Sequence, residues 1–302
     1  MDQAPWDVPE EFLLGQFIPL HYHFNMLGDL ARMDGFQEAI QHMVPFGSKV
    51  LELGGGTGVL SWFAAQQAAK VWCVERNPAL VRAAGSFLAN NRRGDRVEVV
   101  QADALKWLPP EPVDVVICEM LHVGLVREKQ IDVLRSFKER YAKAFGPKSP
   151  AFIPDAALLA VQPVQQNFTF HGYTAAVPMF QTGLNINTVP LADSEIYSTI
   201  YYEQPLPDEL QIEARLIIRR AGTLNALCFL TKNFLAFLLT EKRAVEWMMH
   251  HLIVPLAQPL KVAAGETVSV RFSYRPGCPL ETFMESVHVA REAPALRILR
   301  AA

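Results

Sequence analysis

The chain has 302 residues, of which 50% are hydrophobic and 20% are charged, so it can build one large domain or two moderate domains with substantial cores. Its formal net charge is −3, which argues against nucleic-acid binding, because that class of protein usually carries a basic excess. The four cysteines form no C-x-x-C pair and no metal-ligand spacing, so no bound metal is predicted.

The sequence also carries no sign of export or of a membrane span. Residues 1–5 have neither the basic start nor the apolar run of a secretory signal peptide. The most apolar stretch, residues 224–240, is interrupted by Lys232 and Asn233. With scattered cysteines in addition, these features predict a reduced, cytoplasmic protein.

Strands and helices alternate through the first half of the chain. Helices are predicted over Leu60–Ala69, over Ala79–Asn90 after the N-cap Asn77 and Pro78, and over Lys129–Phe145. Buried parallel strands are predicted from apolar runs at Val50–Leu53, Val71–Val74, Val97–Val100 and Val113–Cys118. This alternation predicts a doubly wound α/β sheet, in which ligands lie beyond the carboxyl ends of the strands.

The pattern changes after Pro154-Asp155. Stretches of alternating polarity at Gln211–Arg219 and Thr267–Arg275, separated by proline and glycine, predict antiparallel strands. We therefore predict a ligand-binding α/β domain over residues 1–155 and a mainly antiparallel β domain over residues 156–302.

The strand Val50–Leu53 runs into the glycine-rich segment Gly54-Gly55-Gly56-Thr57-Gly58 and then into a helix. A dinucleotide site favours G-x-G-x-x-G, but here the third glycine would fall on Val59. The spacing is instead Glu52-x-Gly54-x-Gly56-x-Gly58, which resembles motif I of class I S-adenosylmethionine-dependent methyltransferases. The alternative is a plain turn between a strand and a helix.

Acidic residues follow the next two strands. Glu75 ends the second strand, where a carboxylate can accept hydrogen bonds from both hydroxyls of a ribose. Asp103 follows the third strand and could accept from an adenine amino group. The alternative for each is a solvated carboxylate at the end of a strand, and it weighs more for Asp103 than for Glu75. Their order after the glycine loop favours S-adenosylmethionine.

Glu119 ends the fourth strand, and Glu128 follows nine residues later. On a continuous helix the two carboxylates would point to opposite sides, so they can converge only if the chain folds back, which Gly124 would permit. Two buried like charges repel unless a cation lies between them, and a planar guanidinium suits that place. The alternative is that Glu128 caps the following helix.

Here the chain resembles the protein arginine methyltransferases, in particular a compact bacterial-type member, whose double-glutamate loop has this spacing. Two further segments resemble the family's N-terminal helix motif and the entry to its β-barrel, namely His23-x-x-Met26-Leu27-x-Asp29-x-x-Arg32 and Ile153-Pro154-Asp155. The resemblance implies that Arg32 holds the carboxylate of the cofactor and that His23 and Met26 line the same end. It also implies a β-barrel-like second domain and a homodimer, whose shortened dimerisation arm would lie around residues 170–190.

One family feature is missing, the Thr-His-Trp loop of the barrel. The nearest candidates are Glu246-Trp247 and His250-His251, and we take Trp247 as a candidate for substrate binding. Asp29 would then lack the histidine partner that the family provides.

The sequence therefore predicts transfer of a methyl group from S-adenosylmethionine to a guanidino nitrogen of arginine, leaving S-adenosylhomocysteine. Glu119 and Glu128 would bind the guanidinium and raise the nucleophilicity of the remaining nitrogen. The low net charge favours free L-arginine, as in bacterial secondary metabolism, and leaves an arginine in a peptide or protein open. The alternatives are another small-molecule nucleophile or a non-catalytic scaffold with the same fold.

Overall fold

The computed structural model describes residues 18–292, so residues 1–5, on which the absence of a signal peptide was argued, lie outside it. No helix in this range is both long and apolar enough to cross a membrane. Residues 18–292 contain six α-helices: α1 (His23–Gly28), α2 (Leu30–Met43), α3 (Val59–Ala65), α4 (Pro78–Ala89), α5 (Gln130–Phe145) and α6 (Leu280–Glu285).

The first half forms the predicted parallel sheet. Its strands are β1 (Lys49–Leu53), β2 (Lys70–Glu75), β3 (Val97–Gln101), β4 (Val115–Cys118) and β5 (Ala151–Ile153). They pair in the order β3-β2-β1-β4-β5, all parallel. The order reverses between β1 and β4, and a crevice at their carboxyl ends is the expected place for a ligand.

The helices that pack on this sheet lie close to their predicted positions, with small differences in where they begin and end. Asn77 caps α4 by accepting a hydrogen bond from the Ala79 amide at 2.9 Å, as predicted. The helix predicted to reach Ala69 ends at Ala65, because the Ala69 amide bonds to the Ser48 carbonyl at 2.8 Å instead of extending the helix. The fourth strand begins at Val115 rather than Val113, and Tyr141 holds both backbone groups of Val113.

The second half is built from antiparallel strands. They are β6 (Ala156–Gln166), β7 (Thr169–Phe170), β8 (Tyr173–Thr174), β9 (Met179–Gln181), β10 (Thr188–Pro190), β11 (Glu195–Tyr201), β12 (Leu210–Ile217), β13 (Gly222–Leu238), β14 (Arg243–Met248), β15 (His251–Val262), β16 (Thr267–Tyr274) and β17 (His288–Arg291). The two strands predicted from alternating polarity pair with each other, since β12 and β16 are in register from Leu210↔Tyr274 to Ile217↔Thr267.

The two halves share one hydrophobic core. Helix α2 packs on β13 so closely that a Cβ on Gly35 would lie 3.0 Å from Leu235 Cδ1. The Asp155 carboxylate, where the chain passes between the halves, accepts from the Phe237 amide at 2.8 Å. A domain boundary at residue 155 therefore stays a prediction, although the parallel sheet ends at Ile153 and the antiparallel strands begin at Ala156.

Candidate active site

A cavity of about 1250 Å³ opens at the carboxyl ends of the parallel strands. Eleven of the twelve residues predicted for the site line it: His23, Met26, Arg32, Glu52, Gly54, Gly56, Glu75, Asp103, Glu119, Glu128 and Trp247. The twelfth, Gly58, lies behind the cavity, where an added Cβ would be 3.2 Å from Leu88 Cδ1 of α4. Among residues 18–292, no cluster of His, Cys, Asp and Glu could hold a metal ion.

The glycine loop forms the floor of the cavity. Gly54, Gly56 and Gly58 have φ values of +78°, +54° and +79°, a region that glycine adopts without steric cost. The amides of Gly54 and Gly55 both donate to the Val74 carbonyl at 2.9 Å, which holds the loop against β2. The loop thus presents bare backbone to the cavity, as the glycine spacing predicts.

Glu52 supports this loop from beneath. Its buried carboxylate accepts from the amide of Ser61 at 2.9 Å and from the Ser61 hydroxyl, which ties β1 to the first turns of α3. Burial raises the pKa of Glu52 to about 8, although the hydrogen bonds from Ser61 oppose the shift. These contacts indicate that Glu52, although it lines the cavity, holds the glycine loop in place.

Glu75 and Asp103 line the cavity at the ends of β2 and β3. One oxygen of Glu75 accepts from the Gly56 amide at 3.0 Å and the other from the Asn77 amide at 2.7 Å. Asp103 accepts from the Leu105 amide at 2.9 Å through Oδ1. Because a carboxylate oxygen has two lone pairs, both residues keep capacity for ligand hydrogen bonds.

The chain folds back between Glu119 and Glu128. Gly124, Leu125 and Arg127 have φ values of +70°, +54° and +66°, which reverse the chain over a few residues. Strands of the second half hold this loop, since the Gly124 amide donates to Thr231 Oγ1 at 2.7 Å and the Gly124 carbonyl accepts from the Tyr274 hydroxyl at 2.6 Å. Both glutamates consequently line one cavity.

Gln130, which sequence reasoning missed, fastens the start of the same loop. Its Oε1 accepts from the Met120 amide at 2.9 Å, and its Nε2 donates to the Cys118 carbonyl at 2.8 Å. Helix α5 begins at Gln130 with Lys129 at its N-cap, and no side chain caps it. The structure therefore gives no support to a capping role for Glu128.

Burial dominates the electrostatics of the two glutamates. It raises the pKa of Glu119, with Arg32 opposing the shift, and it raises the pKa of Glu128 well above its usual value, with the Glu119 charge adding to the effect. Each partly buried carboxyl opposes the ionisation of the other, so a cation that lies between them would stabilise both charges.

Arg32 reaches this pair from α2. Its guanidinium binds the Glu119 carboxylate and lies 5.3 Å from the centroid of the Trp247 ring. The Arg32 side chain is 13% exposed, so this ion pair is largely sheltered from water. Asp29 caps α2 by accepting a hydrogen bond from the Arg32 amide at 3.1 Å. Within residues 18–292 it makes no hydrogen bond to a histidine.

His23 and His122 are among the histidines that line the cavity. The His23 ring lies over the glycine loop, with Cε1 2.9 Å from the place of a Cβ on Gly56, and its Nε2 is buried without a partner in the described residues. His122, on the loop between the glutamates, packs against Phe180 of β9. Sequence reasoning did not assign His122 or Phe180 to the site, and only the position of His122 three residues after Glu119 could have pointed to it.

Residues 50–143 match the family described as "Methyltransferase domain". This chain carries a methyltransferase domain. An uncharacterised protein of Methanothermobacter thermautotrophicus is 29% identical over 267 residues, which cover 88% of this chain and 97% of that protein. An arginine N(omega)-methyltransferase of Streptomyces achromogenes subsp. streptozoticus is 30% identical over 143 residues, which cover 46% of this chain and 38% of that enzyme.

A solved structure shares the architecture of both halves of this methyltransferase. It is the Trypanosoma brucei PRMT1 enzyme-prozyme heterotetrameric complex with AdoHcy, which superposes with a TM-score of 0.68 at 18% identity and covers 84% of this chain and 87% of that chain. The fold prediction is confirmed: a class I methyltransferase sheet is followed by a β-barrel-like domain. The prediction of S-adenosylmethionine as the cofactor is confirmed as well.

Proposed function

We propose that this methyltransferase transfers a methyl group to a guanidino nitrogen of arginine. The observation that carries the proposal is the pair Glu119 and Glu128, two partly buried carboxyls in the same cavity as the glycine loop. A bound guanidinium would relieve their repulsion, and its planar fork of donors pairs bidentately with carboxylate. Arg32, a guanidinium already bound to Glu119, supports the fit of that group to this site.

The residues around the glycine loop fit S-adenosylmethionine. Backbone without Cβ atoms faces the cavity, since a Cβ on Gly54 would lie 2.8 Å from Met120 Cγ and one on Gly56 would meet His23. Glu75 and Asp103 would accept from its ribose and adenine, and Arg32 would bind its carboxylate. When bound, the cofactor supplies an electrophilic methyl group on a sulfonium.

The two glutamates would orient the acceptor. By binding two nitrogens of the guanidinium they draw positive charge toward those nitrogens, and the remaining terminal nitrogen keeps more lone-pair character. This nitrogen would take up the methyl group of the bound cofactor, which would leave as S-adenosylhomocysteine, and one proton would pass to water. Because the pKa of a guanidinium is above about 12, prior deprotonation would be costly, so orientation and electrostatics supply most of the rate.

The acceptor is proposed to be free L-arginine, with an arginine in a peptide as the other outcome of the test. The Streptomyces relative, an arginine N(omega)-methyltransferase, supports the guanidino group as the target. We further propose a cytoplasmic enzyme of secondary metabolism with domains at 1–155 and 156–302. A homodimer is supported by exposed apolar side chains in the arm-like segment 170–190, where Tyr173 is 74% and Ile186 is 97% exposed.

Glu128→Gln tests the proposal. Purified wild type and variant are incubated with S-adenosylmethionine and, separately, with L-arginine or an arginine-rich peptide, and methyl addition is read by mass spectrometry. The variant should lose turnover by about 100-fold or more, because a neutral amide cannot replace the carboxylate, while cofactor affinity measured by calorimetry is retained. Glu213→Gln, at an exposed position on β12, is the matched control.

The outcomes separate the alternatives. Methylated L-arginine from the wild type identifies a small-molecule enzyme, and methylated peptide alone identifies a protein-modifying one. Full activity of Glu128→Gln would overturn the proposed role of the pair. A wild type that binds the cofactor but methylates neither acceptor would point to another nucleophile.

A further inference from the structure

His122 occupies the loop between the two glutamates, and the reaction proposed above leaves its side chain without a role. The ring lines the same cavity as Glu119 and Glu128. It is held on two sides. Its Nδ1 lies 3.1 Å from the Val123 carbonyl oxygen, and its ring meets that of Phe180 at 90° with centroids 5.3 Å apart.

These contacts determine which ring nitrogen carries the proton. A carbonyl oxygen can only accept, so Nδ1 must be the donor to Val123 and must carry the hydrogen. Burial, assisted by the charge of Arg127, lowers the pKa of His122 to about 4, so the ring is neutral near pH 7. In this tautomer Nε2 has a free lone pair and can act only as an acceptor.

Nε2 is open to the cavity. Within residues 18–292 it makes no hydrogen bond, and it is not among the polar atoms that are both sealed from solvent and without a partner. The site therefore offers a fixed neutral acceptor on the loop that connects its two acids. This acceptor adds no third negative charge beside the two acids.

The donor count of a guanidinium gives this acceptor a partner. Arginine offers five N–H groups, and two carboxylates that bind two of its three nitrogens take at most three of them. In a sheltered site the N–H groups of the remaining terminal nitrogen would lose their hydrogen bonds to water, which is costly for a charged group. We propose that His122 contacts the substrate, with Nε2 accepting an N–H of the guanidino group that Glu119 and Glu128 leave unpaired.

This inference rests on the proposed function and names a third group that recognises the same acceptor. It makes His122 a specificity residue that favours a full guanidino group over acceptors with fewer N–H donors, such as a primary amine. The Phe180 ring, which belongs to β9 of the second half, keeps the imidazole at a fixed angle and so links the arm-like segment to substrate recognition.

Three substitutions of His122 test the inference. His122→Phe keeps a ring against Phe180 but removes the acceptor, and kcat/KM for the guanidino acceptor should fall about 10- to 100-fold. His122→Gln places an amide oxygen near the position of Nε2 and should recover most of that loss. His122→Asn can keep the contact to Val123 but cannot reach as far as Nε2, so it should behave like the Phe variant.

Cofactor affinity, measured by calorimetry, serves as the readout of folding and should be unchanged in all three variants. His288→Phe, at an exposed position on β17, is the matched control. Equal kcat/KM in His122→Phe and wild type would overturn the inference, and so would equal losses in the Gln and Asn variants. If the Phe variant fails to fold, the comparison of Gln with Asn decides. A wild type without activity on guanidino acceptors would instead refute the proposed function.

Discussion

Gly55 offers a sharp test of how the cofactor loop is supported, because there is no room for a side chain at this position. A Cβ added to Gly55 would lie 2.2 Å from Cys73 Sγ, a separation that non-bonded atoms do not adopt. Cys73 is fully buried in β2, between β1 and β3, so its sulfur has little freedom to move away. The backbone at Gly55 has no positive φ, so strain there comes only from this contact.

The size of the effect follows from that distance. To restore ordinary contact the loop would have to withdraw by about 1 Å, since non-bonded heavy atoms are most favourable near 3.5 Å or beyond. Overpacking of this kind costs about 1–3 kcal/mol of stability. The same shift would move Gly56, whose amide is held by Glu75 at 3.0 Å, and displace the backbone that faces the cofactor. We expect Gly55→Ala to weaken cofactor binding about 10- to 100-fold, the size of effect that misplacement by 1 Å commonly has.

A double-mutant cycle isolates the contact. In Gly55→Ala/Cys73→Ala the sulfur is gone, and the nearest remaining atoms, Cβ of residue 73 and Glu52 Oε2, each lie 3.7 Å away, which is ordinary contact. Cofactor affinity by calorimetry and unfolding in urea should therefore recover toward those of Cys73→Ala alone. Gly85→Ala is the matched control, for which we expect the opposite effect on stability. This exposed site on α4 has no atom within 4 Å, so a gain of about 0.5–1 kcal/mol is expected. Wild-type affinity and stability in Gly55→Ala, or no recovery in the double variant, would refute the reasoning.

Two further predictions concern the buried charges. The folded-state pKa of Glu52 is raised from 4.5 to about 8, so the folded state binds more protons between these values and its free energy of unfolding should fall as pH rises through that window. Urea unfolding at about pH 6 and about pH 8 should show this fall in the wild type and less of it in Glu52→Gln, and equal falls would contradict it. Arg32→Gln should weaken cofactor binding about tenfold or more, while Arg82→Gln, at an exposed position on α4, should not; equal affinities would exclude Arg32 from that role.

The parallel sheet could be predicted from sequence because each strand is buried on both faces. Its apolar runs are therefore continuous, and Asn77-Pro78 marks a helix start by local chemistry alone. The long strand β13 could not be read in the same way. It pairs with three other strands, and its register shifts at Leu224/Ala226 and Phe234/Ala236 break the alternation on which a pattern depends.

The residues of the candidate site also differ in how far the sequence predicts them. The positions of the glycines and acids were predictable, because each follows directly on a strand. The backfold between Glu119 and Glu128 was only conditionally predictable, since Leu125 and Arg127 adopt positive φ without any glycine to signal it. What holds the loop there is distant in sequence, namely Thr231 and Tyr274, and no local pattern identifies such partners.

Charge balance in the cavity leads to a final prediction. Burial and the neighbouring Glu119 charge raise the pKa of Glu128 well above its usual value, so without a substrate this carboxyl holds a proton more tightly than a free carboxyl does. A guanidinium bound between them favours both ionised forms, so binding of the arginine substrate should release protons, and its affinity should rise as pH rises toward the raised pKa. Calorimetric titration in two buffers with different protonation enthalpies measures the number released, with Glu128→Gln as the control in which release is lost. Equal binding heats in both buffers would contradict this prediction. They would mean that both carboxyls are already ionised before the substrate binds, so that no proton has to leave.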